Sequence, residues 1–309
     1  MTQYRRQAIL QRCLRRPFCR VAGFAWRTLA SVSPGSVAPQ QTVTDRLWHV
    51  CAVTGSSARD REQVFVRIRG HFEKTTHPPL PVEPGSSLAG DDAVLGSLQL
   101  SHAAWFAISI AADDLEAVRA LMEDVGRTQP WAHHTLLRSA LESAATAVWL
   151  LAPTQRNERV RRRLKLQGQE IYESERAQQL SGLTPPPPGR TQAERRGEVR
   201  QLATARGLDP NAVLARFSYK NVLREAAIDI PYEPDLLELI WMTGSAIAHG
   251  RTWPTIAFLD REEITGDAAD IRLLRVTASV DQLVLVAATV LLIVDRARDL
   301  YESRRICHY

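Results

Sequence analysis

Three side chains on one stretch have a spacing that could carry chemistry. His134, Arg138 and Glu142 follow at intervals of four inside Trp131–Ala152 (WAHHTLLRSALESAATAVWLLA), and that interval puts them on one face of a helix. Around them stand Leu136, Leu137, Ala140, Leu141, Ala144, Ala145, Val148, Trp149 and Leu151, the pattern of a helix enclosed in a bundle. A charge in such surroundings has to be paired or put to use. Arg ahead of Glu is the weaker order for an exposed helical pair. A buried pair needs further polar groups to offset its desolvation.

A second polar place lies at the end of a helix expected over 235–248. Glu238, Met242, Ser245 and His249 recur every three or four residues, Gly250 stops the helix, and Arg251 follows. If this stripe faces the first, then His249, Arg138, Glu142, Ser245 and Arg251 are the candidate site. His249 would be the general base for a ribose 2′-hydroxyl, and Arg138 or Arg251 would stabilise the pentavalent phosphorane. That is metal-independent RNA cleavage. The structural alternative is a buried Arg138–Glu142 pair that sets helix register, beside a capped helix end.

Other chemistries lack their residues. His133 and His134 are adjacent, so on a helix they point about 100° apart and cannot share one ion. Glu116, Glu123 and Asp124 lack the Glu-x-x-His partner of carboxylate-bridged di-iron bundles. Cys13, Cys19, Cys51 and Cys307 form no CxxC pair and are expected as free thiols in a reducing cytoplasm. No metal and no cofactor are expected, and no glycine-rich phosphate loop is present.

The elements that must position these residues are helical. A pattern with spacings of three and four runs over 96–124 (Leu100, Ala104, Ala107, Ile108, Ala111, Leu115, Val118, Leu121). A loop of about four residues joins it to the Trp131–Ala152 helix, so the two are expected as antiparallel neighbours. A third helix should run from about 154 to 180. Its start carries Arg156, Arg159, Arg161, Arg162, Arg163 and Lys165, which reads either as a phosphate-binding surface or as a solvated face. Helices are also expected near 193–206, after Asp209-Pro210, over 235–248, and from Ser279 to about Ser303 with Ser279 and Gln282 as a capping box. Thr255–Leu259 and Asp270–Val276 suggest a short β-hairpin near 255–276.

The fold class is therefore all-α: an antiparallel helical bundle with a Pro-rich insertion (Pro185–Pro188) and one short hairpin. The expected domains are a basic arm over 1–41, short helices and a Pro-rich linker over 42–92, and the main helical domain over 93–303, with a flexible Pro-rich loop at about 181–192. The longest apolar run, Leu283 to Val294, has twelve residues, too few to span a membrane. Seven arginines stand between Arg5 and Arg27, and no acid precedes Asp45. Without those seven, the 39 basic residues fall to 32 against 34 acidic, a net of −2, so the body is no basic nucleic-acid binder by charge.

The LLRSALE helix, the helical region after it and the helix ending GSAIAHG together resemble bacterial, actinobacterial-type families of all-helical HEPN-like proteins, over about residues 97–302. The resemblance implies a bundle tied to abortive infection, toxin–antitoxin systems or RNA cleavage. HEPN ribonucleases carry an Arg, a polar residue and then a His in one helix. Here no Arg lies in the ten residues before His249, so His249 alone carries over, with Arg251 or Arg138 as substitutes. The implied function is a cytoplasmic, homodimeric interaction module without catalysis, with RNA or a cognate antitoxin as partner. The alternative is a weak endoribonuclease.

Deleting residues 1–41 is expected to leave the melting temperature unchanged. A fall of several degrees would mean that the arm packs on the core.

Overall fold

The computed structural model describes residues 58–182, 190–230, 232–264 and 273–308. The basic arm, Cys13, Cys19, Cys51 and Pro185–Pro188 lie outside these residues. The elements are α1 (Ala58–Thr75), α2 (Ser87–Leu95), α3 (Leu100–Glu123), α4 (Ala132–Leu151), α5 (Arg156–Ser181), α6 (Gln192–Ala205), α7 (Pro210–Leu214), α8 (Tyr219–Ala227), α9 (Pro234–Ala248), α10 (Thr252–Phe258), β1 (Asp260–Ile264), β2 (Leu273–Thr277) and α11 (Val280–Arg305). The fold is all-α, with one two-stranded hairpin among the described residues.

α4 lies at the centre and packs against α3, α5, α8, α9 and α11. From Ala144 to Leu151 every residue is buried, because the apolar side chains cover the whole circumference and find a neighbour on each side. α3 is its antiparallel partner, and the expected apolar positions of α3 are buried up to Val118. The Leu283–Val294 run lies in α11, largely buried against α3 and α4; no single described helix is long and apolar enough to cross a membrane. Phe65 and Ile68 of α1 and Leu88 of α2 share this core, so residues 58–95 are packed on the main bundle. Arg67 and His71 of α1 both reach Asp295 of α11.

Three boundaries differ from the sequence expectation. The stretch before Asp92 read as a loop, but Ser87–Leu95 is a helix, with Ser86 accepting from the Ala89 amide at 3.1 Å. Its polar residues have distant partners that periodicity does not reveal. Asp91 is fully buried against Arg159, Asp92 accepts from the Ser101 amide at 3.0 Å, and Gly90 leaves room for the Arg156 guanidinium. The loop between α3 and α4 is longer than four residues, because α4 begins only at Ala132. The hairpin is present but its first strand lies further along the chain: Thr255–Phe258 is helical in α10, and β1 is Asp260–Ile264, paired antiparallel with β2 so that Asp260 faces Thr277. A short apolar run such as TIAFL fits either secondary structure by period alone.

The end of α4 is held by arginines from two other helices. Arg159 forms a two-pronged pair with Asp91, at 2.6 and 2.9 Å, and donates to the Pro153 and Thr154 carbonyls at 2.8 Å each. Arg304 of α11 donates to the Leu151, Ala152 and Pro153 carbonyls. A helix leaves its last carbonyls without partners and its C-terminus partly negative; the two guanidinium groups answer both.

Arg159→Met is expected to lower stability by about 3–5 kcal/mol, the usual cost of leaving one member of a buried pair uncompensated, read as a shift of the urea midpoint. Asp91→Asn with Arg159→Met should recover part of the loss.

Candidate functional site

α4 and α9 cross at a glycine. A Cβ on Gly244 would lie 2.7 Å from Arg138 Cβ and 2.9 Å from the His134 carbonyl oxygen, so only glycine lets the backbones approach this closely. The two helices run antiparallel: Gly244 meets the His134–Arg138 turn, and Trp241, one turn earlier, meets Glu142.

The stripe on α4 is largely consumed by this crossing. Arg138 Nη2 lies 2.8 Å from Glu142 Oε1, and that same carboxylate oxygen accepts from the Trp241 indole N–H. Arg138 Nε is buried without a partner among the described residues. His134 is buried and its Nε2 has no hydrogen bond with another described residue. Burial, with a smaller contribution from neighbouring His133, pushes the His134 imidazole down to about 4. His133 Nδ1 bonds the Gln129 backbone at 3.0 Å. At neutral pH both rings are uncharged, as the positive end of a helix favours.

The stripe on α9 divides. Glu238 turns to α8, pairing with Lys220 and Arg224 at 2.7 Å each. Ser245 and His249, with Trp241, Met242, Ala246, Arg251 and Trp253, line an open depression of about 380 Å³. His249 ends the helix, and Gly250 follows with φ of +65°. The Gly250 amide bonds the Ile247 carbonyl at 3.0 Å and the Arg251 amide bonds the Ala246 carbonyl at 2.8 Å. This is the two-bond glycine stop expected from the sequence, and it folds Arg251 back beside His249.

Of the five candidate residues, the structure thus brings Arg138 together with Glu142, and places Ser245, His249 and Arg251 around one depression. Trp241 belongs to both places. Trp241 stands eight residues before His249 on α9, about 12 Å of helix rise. Gly244, against which Arg138 packs, is five residues from His249, about 7.5 Å of rise. His249 forms no side-chain hydrogen bond with another described residue, so no neighbouring group among these fixes its tautomer. A general base is normally held by such a neighbour.

The basic start of α5 is partly paired within the fold. Arg156 and Arg159 pair with Asp91, Arg161 and Arg162 with Glu158, and Arg162 also with Glu225, while Arg163 donates to Gln167. Glu116, Glu123 and Asp124 converge on the buried Arg119 guanidinium, which holds Asp124 below the usual carboxylate range. Among the described residues no three His, Cys, Asp or Glu side chains come together as metal ligands.

Sequence reasoning passed over Trp241, Gly244 and Trp253. Trp241 stands four before Ser245 on the same stripe, and a Gly-Ser pair inside an apolar helix is a sign of close helix approach. Trp253 had no periodic signal.

His134 is neutral in the fold and more basic in the unfolded chain, so the unfolded state takes up its proton first as pH falls. Stability is therefore full above the unfolded value near 6.5 and lost toward about 4. Because each pKa unit is worth about 1.4 kcal/mol, the loss approaches about 3 kcal/mol. The melting temperature should decline between pH 6.5 and 5, before carboxylates titrate, and His134→Leu should flatten that decline. An unchanged slope in the variant would remove His134 from the account. No family model, curated protein or solved structure matches this chain.

Proposed function

We propose that this chain is a cytoplasmic, HEPN-like interaction module of bacterial defence or toxin–antitoxin type, and that it acts by binding rather than by catalysis. The carrying observation is the surface around α9 and α10. Met242, Trp253 and Ile256 are each about two-fifths exposed there, beside Arg251 and His249. Trp, Met and Arg are the residue types that protein interfaces concentrate. The hairpin that follows is exposed at every position of β1. Meanwhile Arg138 and Glu142 serve the α4–α9 crossing, which supports the anchoring role over a catalytic one.

A second reading has one observation in its favour: Ser245, His249 and Arg251 line the same depression, so His249 with Arg251 or Arg138 could act on a phosphodiester as a weak, metal-independent endoribonuclease. Incubating the full chain with total RNA and mapping fragment ends separates the two. The binding reading expects the buffer pattern. Cleavage leaving cyclic phosphate ends, abolished in a folded His249→Ala variant, would overturn it in favour of the enzyme.

A further inference from the structure

Where α4, α5 and α8 meet there is a small polar cavity of about 60 Å³. Arg161 and Lys165 reach it from α5, Ser218 and Asn221 from the start of α8, and Trp149 and Phe217 form its apolar side. The two rings stack with centroids 5.5 Å apart, and the Arg162 guanidinium lies over Trp149 at 5.2 Å. That side is therefore fixed by packing.

The groups left open at this cavity are donors. Lys165 forms no hydrogen bond or ion pair with another described residue, and neither does the Asn221 side-chain amide. Arg161 gives Nε and Nη2 to Glu158 at 2.7 and 2.6 Å, and its Nη1 has no partner among the described residues. Ser218 Oγ accepts from the Lys220 amide at 3.2 Å, which leaves its hydroxyl proton to give. Glu225, the one acid in the lining, is already engaged: Trp149 Nε1 donates to it and Arg162 pairs with it, each at 2.9 Å. Arg161, Arg162 and Lys165 thus stand against Glu158 and Glu225, three cations to two acids. Arg161 and Lys165 are also four apart on α5, a spacing at which like charges repel. An anion between them turns that repulsion into two attractions.

Guanidinium, ammonium, amide and hydroxyl donors together are the set that holds a phosphate. The size agrees. Each water-sized centre needs about 10–15 Å³, so the cavity has room for about four oxygens, the number a phosphate carries. We propose that this cavity binds a phosphate group, either free or as a monoester. Lys165 and Arg161 supply the charge, and Asn221 and Ser218 orient the remaining oxygens. The site shares no lining residue with the depression at His249 and does not depend on the function assigned to that surface.

The test is equilibrium dialysis of the full chain against radiolabelled inorganic phosphate at constant ionic strength, for the wild type, Lys165→Glu, Asn221→Asp and Lys74→Glu. One phosphate should bind per chain. Lys165→Glu and Asn221→Asp each set a negative charge against the ligand and should weaken binding by at least about tenfold. Lys165 is half-buried and Asn221 exposed, so both variants should keep the wild-type melting temperature. Lys74→Glu makes the same charge change on α1 and should bind as the wild type does. Displacement of the label by glycerol phosphate identifies a site for monoesters, and failure to displace it identifies a site for the free ion; either supports the proposal. Acetate that displaces the label as well as unlabelled phosphate does overturns it, because a planar carboxylate then satisfies the same donors. An absence of bound phosphate overturns it too. So does binding that survives both cavity variants, the result expected if the arginines between Arg5 and Arg27 hold the ion.

Discussion

The fold depends first on how the C-terminal end of α4 is satisfied. A helix buried on all sides must end somewhere, and its last carbonyls cannot reach water. Arg159 from α5 and Arg304 from α11 donate to the carbonyls from Leu151 to Thr154, and Asp91 from α2 neutralises Arg159 within hydrogen-bond distance. Four helices are joined at one point. The cost of burying those charges is offset because nearly every donor has a partner, the condition under which a buried ion pair holds register. α2 owes its position to this arrangement: its Asp91 and Ser87 both face Arg159.

The opposite half of α4 solves a different problem. Where the arginine cap joins helices through charge, the α4–α9 crossing joins them through absence of a side chain at Gly244. Close approach brings Trp241 within reach of Glu142, which completes the Arg138–Glu142 pair. The half-buried pair takes an indole donor on Glu142, while Arg138 Nε stays buried without a partner among the described residues. The polar residues further along α9 are left to the surface, where the glycine stop at Gly250 turns Arg251 toward His249. One helix therefore supplies both an anchor and an open depression, about two turns apart.

Much of this was legible in the chain. The long helices α3, α4, α5, α9 and α11 follow from apolar spacing, and their ends from Pro130, Pro153, Gly250 and Ser279. The Arg138–Glu142 pairing followed from spacing alone, since four residues on a helix set the distance. α2 was not legible, because its Asp91, Asp92 and Gly90 answer to partners elsewhere in the chain. The arginines at the start of α5 read as either a phosphate-binding surface or a solvated face, and spacing did not show that acids from α2, α5 itself and α8 pair with four of them.

By itself the sequence determined the helical class, the central apolar helix and its i,i+4 charged pair, because these rest on local periodicity and on prolines and glycines that act within a turn. Only the tertiary structure decided which of those charges are spent inside the fold and which face outward. Helix periodicity specifies a face but not the neighbour that covers it. Trp241 lies against Glu142, and Met242, one residue on, faces solvent, solely because of where α9 crosses α4. The His134, Arg138, Glu142 stripe thus belongs to the crossing, and Ser245, His249, Arg251 and Trp253 beyond it line the open depression.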